Sequence, residues 1–190
     1  MKLYRIFISI DLPDNVIDTL LAYKEKWPEL PARWTSKENL HLTLLFLGNT
    51  SEQELEALTS AMRQIGKRHA SFELAVSGIQ YGPSQEEPRM IWAIIHASQE
   101  LADLRKDIET GIAGFSGLNV KAGKQEFSPH ATLARLNVAA LARMELEELP
   151  QIQEEMKIEF QVQGFDIMSS KPQPRGIRYN LVEHIELSKR

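Results

Sequence analysis

An α+β fold with mainly antiparallel sheet is what this sequence predicts, and three observations carry the prediction. Segments rich in β-formers come in closely spaced pairs, with amphipathic segments of helical period between them. A His-x-Thr-Leu tetrapeptide occurs twice, His130 following His41 by 89 residues, close to half the chain. No low-complexity stretch or linker divides the 190 residues, so they are read as one domain, 1–190, built of two similar lobes.

The elements follow in order. Residues 3–10 (LYRIFISI) alternate and contain β-formers, so they predict a strand. Asp11, Leu12 and Pro13 then open a helix, with Val16, Ile17, Leu20, Leu21 and Trp27 at helical spacing, and Pro28 and Pro31 end it. Trp34 and Thr35 begin a short extended piece. Residues 40–47 (LHLTLLFL) form a nearly unbroken apolar run, as suits a buried strand. Ser51 and Glu54 form a capping box ahead of a helix whose inner stripe is Leu55, Leu58, Met62 and Ile65. Residues 72–79 and 89–96 predict a long-looped hairpin across the polar connection 81–88 (YGPSQEEP). Ser98 caps the next helix, with Leu101, Leu104, Ile108, Ile112 and Phe115 inward. Residues 116–126 read as a mobile connection, 127–136 as a segment holding another strand, and 139–149 as a shorter helix. Residues 156–169 and 177–187 are expected to be two final strands around the polar connection 170–176 (SKPQPRG).

Composition narrows the function. Hydrophobic residues make up 43% and charged residues 25%, an ordinary globular balance. With no cysteine there is no disulfide, no Cys-based zinc site and no thiol nucleophile. The net charge is −4 and no long Lys/Arg block occurs, so any nucleic acid is expected to be gripped at an end rather than coated. The apolar run at the N-terminus is broken by Arg5 and Asp11. It is too short to span a bilayer and lacks a cleavage site, and no later segment approaches the roughly 20 apolar residues a spanning helix needs. A cytoplasmic protein without a membrane partner is the expectation.

The repeat carries the chemistry. In a strand, residues i and i+2 share a face. His41 and Thr43 therefore point one way, as do His130 and Thr132, while Leu42, Leu44, Ala131 and Leu133 point the other way toward a helix-covered core. Two lobes related by a pseudo-twofold would gather two imidazoles and two hydroxyls around one point. Opening a cyclic phosphodiester needs such a set: a base to deprotonate water, an acid to protonate the departing sugar oxygen, and donors for the non-bridging oxygens. The ring strain of a five-membered cyclic phosphate makes a metal unnecessary on this reading, and no Asp/Glu/His cluster accompanies either motif. The pattern itself does not say which histidine is acid and which is base.

At these residues the chain resembles the 2H phosphoesterase family, in its RNA 2′,3′-cyclic phosphodiesterase branch, formerly called 2′-5′ RNA ligase. The resemblance is carried by Arg33-Trp34, by residues 38–48 (ENLHLTLLFLG) and by 129–135 (PHATLAR). Residues 7–13 (FISIDLP) and 179–187 (YNLVEHIEL) also fit, so it spans nearly the whole chain. It implies a bilobal fold with helices on the outer faces and a central cleft. It implies hydrolysis of a terminal 2′,3′-cyclic phosphate to a 2′-phosphate, with no cofactor. His41 would be the proton donor to the leaving 3′ oxygen and His130 the proton acceptor from water, with Thr43 and Thr132 on the phosphate. RNA ends, nucleoside 2′,3′-cyclic phosphates and tRNA fragments would be the partners, met by a monomer. The older name implies reversal, joining a 2′-phosphate-type end to a 5′-hydroxyl.

Arg135 is the best cationic candidate for the phosphate. Strict alternation puts it on the face opposite His130, and only a bulge, a strand end or its own length would bring it round. Lys121 and Lys124 fit a solvated loop better than an RNA contact. Trp34 and Tyr81 fit core or edge packing better than base stacking. His69 reads as a helix-end residue, and His96 and His184 as strand residues. Asp11 and Glu38 are both placed to orient an imidazole, and the sequence does not choose between them.

Overall fold

The computed structural model describes residues 3–115, 127–144, 149–174 and 176–189. Its strands are β1 (Leu3–Asp11), β2 (Ala32–Trp34), β3 (His41–Ser51), β4 (Phe72–Gly82), β5 (Met90–Ile95), β6 (His130–Leu136), β7 (Gln153–Val162), β8 (Gly164–Gln173) and β9 (Gly176–Glu186). Its helices are α1 (Asp14–Ala22), α2 (Glu52–Gly66), α3 (Gln99–Ile112) and the short α4 (Val138–Leu141).

Local chemistry sets these boundaries. Ser51 and Glu54 close the expected capping box at α2, and the Ser98 hydroxyl accepts from Leu101 N at α3. Asn137 accepts from Ala140 N and starts α4, which is shorter than the 139–149 helix expected. Residues 145–148 of that span lie outside the described residues, as do Lys121 and Lys124.

All strand pairings are antiparallel, in the order β7-β4-β5-β6-β3-β1-β8-β9, with β2 added on β6. One expectation is corrected here. The run read as a single strand, 156–169, is two strands, β7 and β8, which turn at Gln163 and pair with β4 and β1 respectively. The polar stretch after it is largely strand as well, because β8 and β9 stay paired out to Gln173 and Gly176.

That turn fixes the overall shape. With strands about 4.8 Å apart, a flat sheet would separate β7 from β8 by roughly 29 Å. One residue cannot span this, so the sheet folds back on itself without closing. The ends approach where Ser71 N bonds Ser188 O and Leu187 N bonds Gln163 O. The fold line is the β3–β6 seam, where the ladder holds a single residue pair, Leu42 with Ala131. On one side lies the half-sheet β3-β1-β8-β9, on the other β6-β5-β4-β7. Leu42, Leu44, Ala131 and Leu133 are buried in one core with Leu58, Met62, Leu101, Leu104 and Ile108 of α2 and α3. Trp34 packs against Trp27 with rings parallel at 6.3 Å, and Tyr81 is buried with its hydroxyl on Pro150 O, so both serve packing as expected.

Candidate active site

The seam decides the geometry of the two motifs. With Leu42 opposite Ala131 in antiparallel register, Thr132 falls beside His41 and His130 beside Thr43. The four side chains form a block on the face away from the helices, and all are half-buried. The two histidines occupy one diagonal of that block, a Cβ separation of roughly 7–8 Å in a regular ladder. A phosphate fits between them.

The repeat is longer than its tetrapeptides. Residues 41–47 (HLTLLFL) and 130–136 (HATLARL) share one burial pattern, position by position. Each contains a bulge at the same place. Ser9 pairs with Thr43 but Ile8 with Leu45, leaving Leu44 extra; Trp92 pairs with Thr132 but Ile91 with Ala134, leaving Leu133 extra. The bulge carbonyls find donors outside the ladder: Arg105 Nε on Leu44 O at 3.2 Å, and Thr35 N on Leu133 O at 2.8 Å. An extra residue reverses side-chain alternation. Arg135 therefore returns to the face of His130 and Thr132, as its exposure shows. In the other half Phe46, 60% exposed, takes the equivalent place.

Both imidazoles are oriented in the same way. His130 Nδ1 lies 2.7 Å from Ser128 O, two residues upstream. The His41 ring bonds the backbone of Asn39, also two residues upstream, and its Nε2 lies 3.1 Å from Thr43 Oγ1. A Nδ1–H donated to a carbonyl leaves the Nε2 lone pair of a neutral imidazole directed into the cleft. Burial pushes both imidazoles below their ordinary value. The upstream backbone bond opposes this in each case, and at His41 the charge of Asp11 opposes it too.

The surroundings differ. Trp92 stacks on His130 with ring centroids 3.7 Å apart. It has room because its neighbour in β4 is Gly82, where a Cβ would run into the indole. His41 is flanked by Phe7, stacked at 5.0 Å, and by Tyr179, edge-on at 5.1 Å. Opposite His41 in register stands Asp11; opposite His130 stands Ile94. Of the two carboxylates the sequence left open, Asp11 is the one beside the ring. Glu38 is exposed and bonds its own backbone and Ser36.

The structure thus brings together His41, Thr43, His130, Thr132 and Arg135. Phe7, Trp92 and Tyr179 were not legible as site residues, since their placement comes from cross-strand register. His69, just past α2, bonds Asp107 of α3 at 2.8 Å. His96 follows β5 and bonds Ala75 O through its backbone.

Comparison with known proteins agrees with this architecture. A family described as LigT like Phosphoesterase matches residues 10–92 and 95–179. An RNA 2′,3′-cyclic phosphodiesterase of Thermus thermophilus is 27% identical, over 96% of this chain and 90% of that protein. One of Thermotoga maritima is 29% identical, over 94% and 92%. Among solved structures, a Thermus thermophilus protein, TT0787, superposes with a TM-score of 0.83 at 26% identity, covering 97% of this chain and 98% of that one. Escherichia coli LigT complexed with 3′-AMP shares the fold at a TM-score of 0.78 and 23% identity, covering 99% and 100%.

Proposed function

The chain belongs to the LigT like Phosphoesterase family and is an enzyme, a cyclic phosphodiesterase; from that premise we propose that it hydrolyses RNA 2′,3′-cyclic phosphate ends to 2′-phosphomonoesters with two histidines and no metal. The observation that carries this reading is the diagonal of two upstream-anchored imidazoles across the β3–β6 seam, each with a threonine beside it.

His130 Nε2 takes a proton from water, whose oxygen attacks phosphorus. The P–O3′ bond breaks as His41 gives its proton to O3′. The phosphate stays on O2′. Thr43 and Thr132 donate hydrogen bonds to the non-bridging oxygens, and Arg135 adds a cation on the same face, where charge grows at the five-coordinate stage. A 5′-hydroxyl in place of water would give a 2′-5′ link by the same transfers, which is the ligation reading. Both half-sites come from one chain, so a monomer suffices, and residues 1–190 act as one unit. Substrates are RNA ends, tRNA fragments among them, and nucleoside 2′,3′-cyclic phosphates in the cytoplasm. Among the described residues no helix is long and apolar enough to cross a membrane.

The test is product analysis on a short RNA ending in a 2′,3′-cyclic phosphate, with EDTA present. The expected product is the same length with its phosphate on O2′. Phosphate on O3′, shortened chains, loss of activity in EDTA, or tight binding without turnover would each overturn a named part: the leaving group, the end-opening reaction, metal independence, or catalysis itself.

A further inference from the structure

Exposed apolar side chains are distributed unevenly over the molecule. Among the described residues the large ones are Leu3, Phe46, Val138, Ile177, Leu181 and Val182. All but Val138 lie on the half-sheet β3-β1-β8-β9. On β1, Ile6, Ile8 and Ile10 point into the helix-covered core, so Leu3, Arg5, Phe7 and Ser9 point to the face that carries His41 and Thr43. Two rows cross that face. Phe46, Phe7, Met168 and Leu181 are successive register partners, and so are Asn49, Arg5, Ser170 and Tyr179. Leu3 and Ile177 extend the same face two residues beyond Arg5 and Tyr179. The first row meets the candidate site through Phe7, whose ring centroid lies 5.9 Å from that of Phe46, 5.0 Å from that of Tyr179 and 5.0 Å from that of His41. Phe46 is 60% exposed and Leu181 is 59% exposed, at the two ends of the row. A contiguous apolar surface beside a site marks a place where a partner sits.

The charges on this face indicate the partner. Arg5 is exposed and stands between the Phe46–Leu181 row and Leu3. Among the described residues of these strands, the exposed carboxylates on the same face are Asp11 and Glu186, at the opposite end, beyond Ser9 and His184. Asp166, between Ser9 and His184, is buried and bonded to His184. Apolar and aromatic side chains for base faces, with a cation for the backbone, suit single-stranded RNA. Arg5 lies roughly 13 Å along β1 from Ser9, the register partner of Thr43, past a terminal phosphate held at the motifs and within reach of those upstream.

We propose that this face holds the nucleotides upstream of the cyclic end, with their bases on the row from Phe46 to Leu181 and a backbone phosphate on Arg5. The proposal rests on the RNA-end reading above and narrows its substrate class to short single-stranded ends, favoured over nucleoside 2′,3′-cyclic phosphates. A grip of a few nucleotides also suits a chain of net charge −4 without a long Lys/Arg block. Arg5 and Leu181 set specificity and touch no reacting atom.

The test compares kcat/KM on 2′,3′-cyclic AMP with kcat/KM on a short oligoadenylate ending in a 2′,3′-cyclic phosphate, for the wild type, Arg5→Gln and Leu181→Ser. The wild type should favour the oligonucleotide by about tenfold or more. Arg5→Gln should lose about tenfold on the oligonucleotide through a charged hydrogen bond to phosphate, and Leu181→Ser about fivefold. Both should stay within about twofold of the wild type on 2′,3′-cyclic AMP, as exposed substitutions away from the reacting atoms. Arg5→Gln should also flatten the fall of log kcat/KM with log salt on the oligonucleotide by about 0.7. Equal wild-type rates on the two substrates, unchanged oligonucleotide rates in the variants, or equal losses on both substrates overturn the proposal. So does a concentration-dependent wild-type dimer that Leu181→Ser dissolves while RNA turnover is unchanged, since the face would then join two copies of the chain. If the wild type turns over neither substrate, the functional reading fails, and fluorescence anisotropy of a labelled oligoadenylate still decides the subsite: weaker binding in both variants supports it, and equal binding in all three proteins overturns it.

Discussion

The two half-sites share a backbone and differ in almost every neighbour. On β3 and on β6 the chain runs His, inward apolar, Thr, an extra apolar residue at a bulge, and then a side chain returned to the cleft. Around that common frame one half places Asp11, Ser9 and Phe46, and the other places Ile94, Trp92 and Arg135 at the matching positions. Backbone repetition brings two imidazoles together, and side-chain divergence gives them different surroundings. Opposite tasks require opposite protonation states at one pH, and identical surroundings cannot supply them.

The comparison breaks most plainly at the histidines. His41→Ala and His130→Ala should each lower kcat on 2′,3′-cyclic AMP by on the order of 10²-fold or more, and the double variant should be little slower than either single one. Steady-state kinetics on the three proteins checks this, and additive losses would mean the two groups do not act in one step.

Arg135 and Phe46 sharpen it next, as equivalent positions with unlike chemistry. Arg135→Gln should reduce kcat/KM by about ten- to a hundredfold through loss of a charged hydrogen bond to phosphate. Phe46→Ala, an exposed apolar change, should stay within about threefold on the same substrate. Reversal of that order would place the phosphate toward the wrong half. Thr43→Ala and Thr132→Ala should cost about tenfold each, as lost neutral donors to phosphate oxygens, and less than the histidine changes.

Stability separates the halves more gently. Gly82→Ala drives a methyl into Trp92, and Gly164→Ala drives one into His184, so each should cost about 1–3 kcal/mol by overpacking. Thermal melts check both, and only the first should disturb the His130 resonances. The smallest effect is the pH dependence of stability. Burial holds both motif imidazoles below their ordinary value, so the unfolded chain binds protons first as pH falls. Wild-type stability should therefore decline from about pH 7 to about pH 5, and His41→Gln/His130→Gln should decline less.

Much of this was legible in the sequence, for identifiable reasons. Alternation placed His41 with Thr43 and His130 with Thr132, because strand geometry leaves no other arrangement. The capping box at Ser51 and the cap at Ser98 fixed two helix starts through hydrogen bonds that are local in the chain. Arg135 could not be placed, since a bulge inside an apolar run such as residues 41–47 carries no Gly or Pro to announce it. The boundary between β7 and β8 was missed for a similar reason: polar–apolar alternation runs up to the turn at Gln163, and only Gly164 punctuates it. The flanking of His41 by Phe7, Asp11 and Tyr179 depends on the register of strands scattered from residue 3 to residue 186, which no local pattern encodes.

One measurement goes to the centre of the account: kcat/KM of His41→Ala and His130→Ala against pH on 2′,3′-cyclic AMP, beside the wild type. The wild type should trace a bell, His41→Ala should lose its alkaline limb, and His130→Ala should lose its acid limb. A complete bell in either variant, or near-wild-type turnover in both, would contradict the two-histidine division of labour.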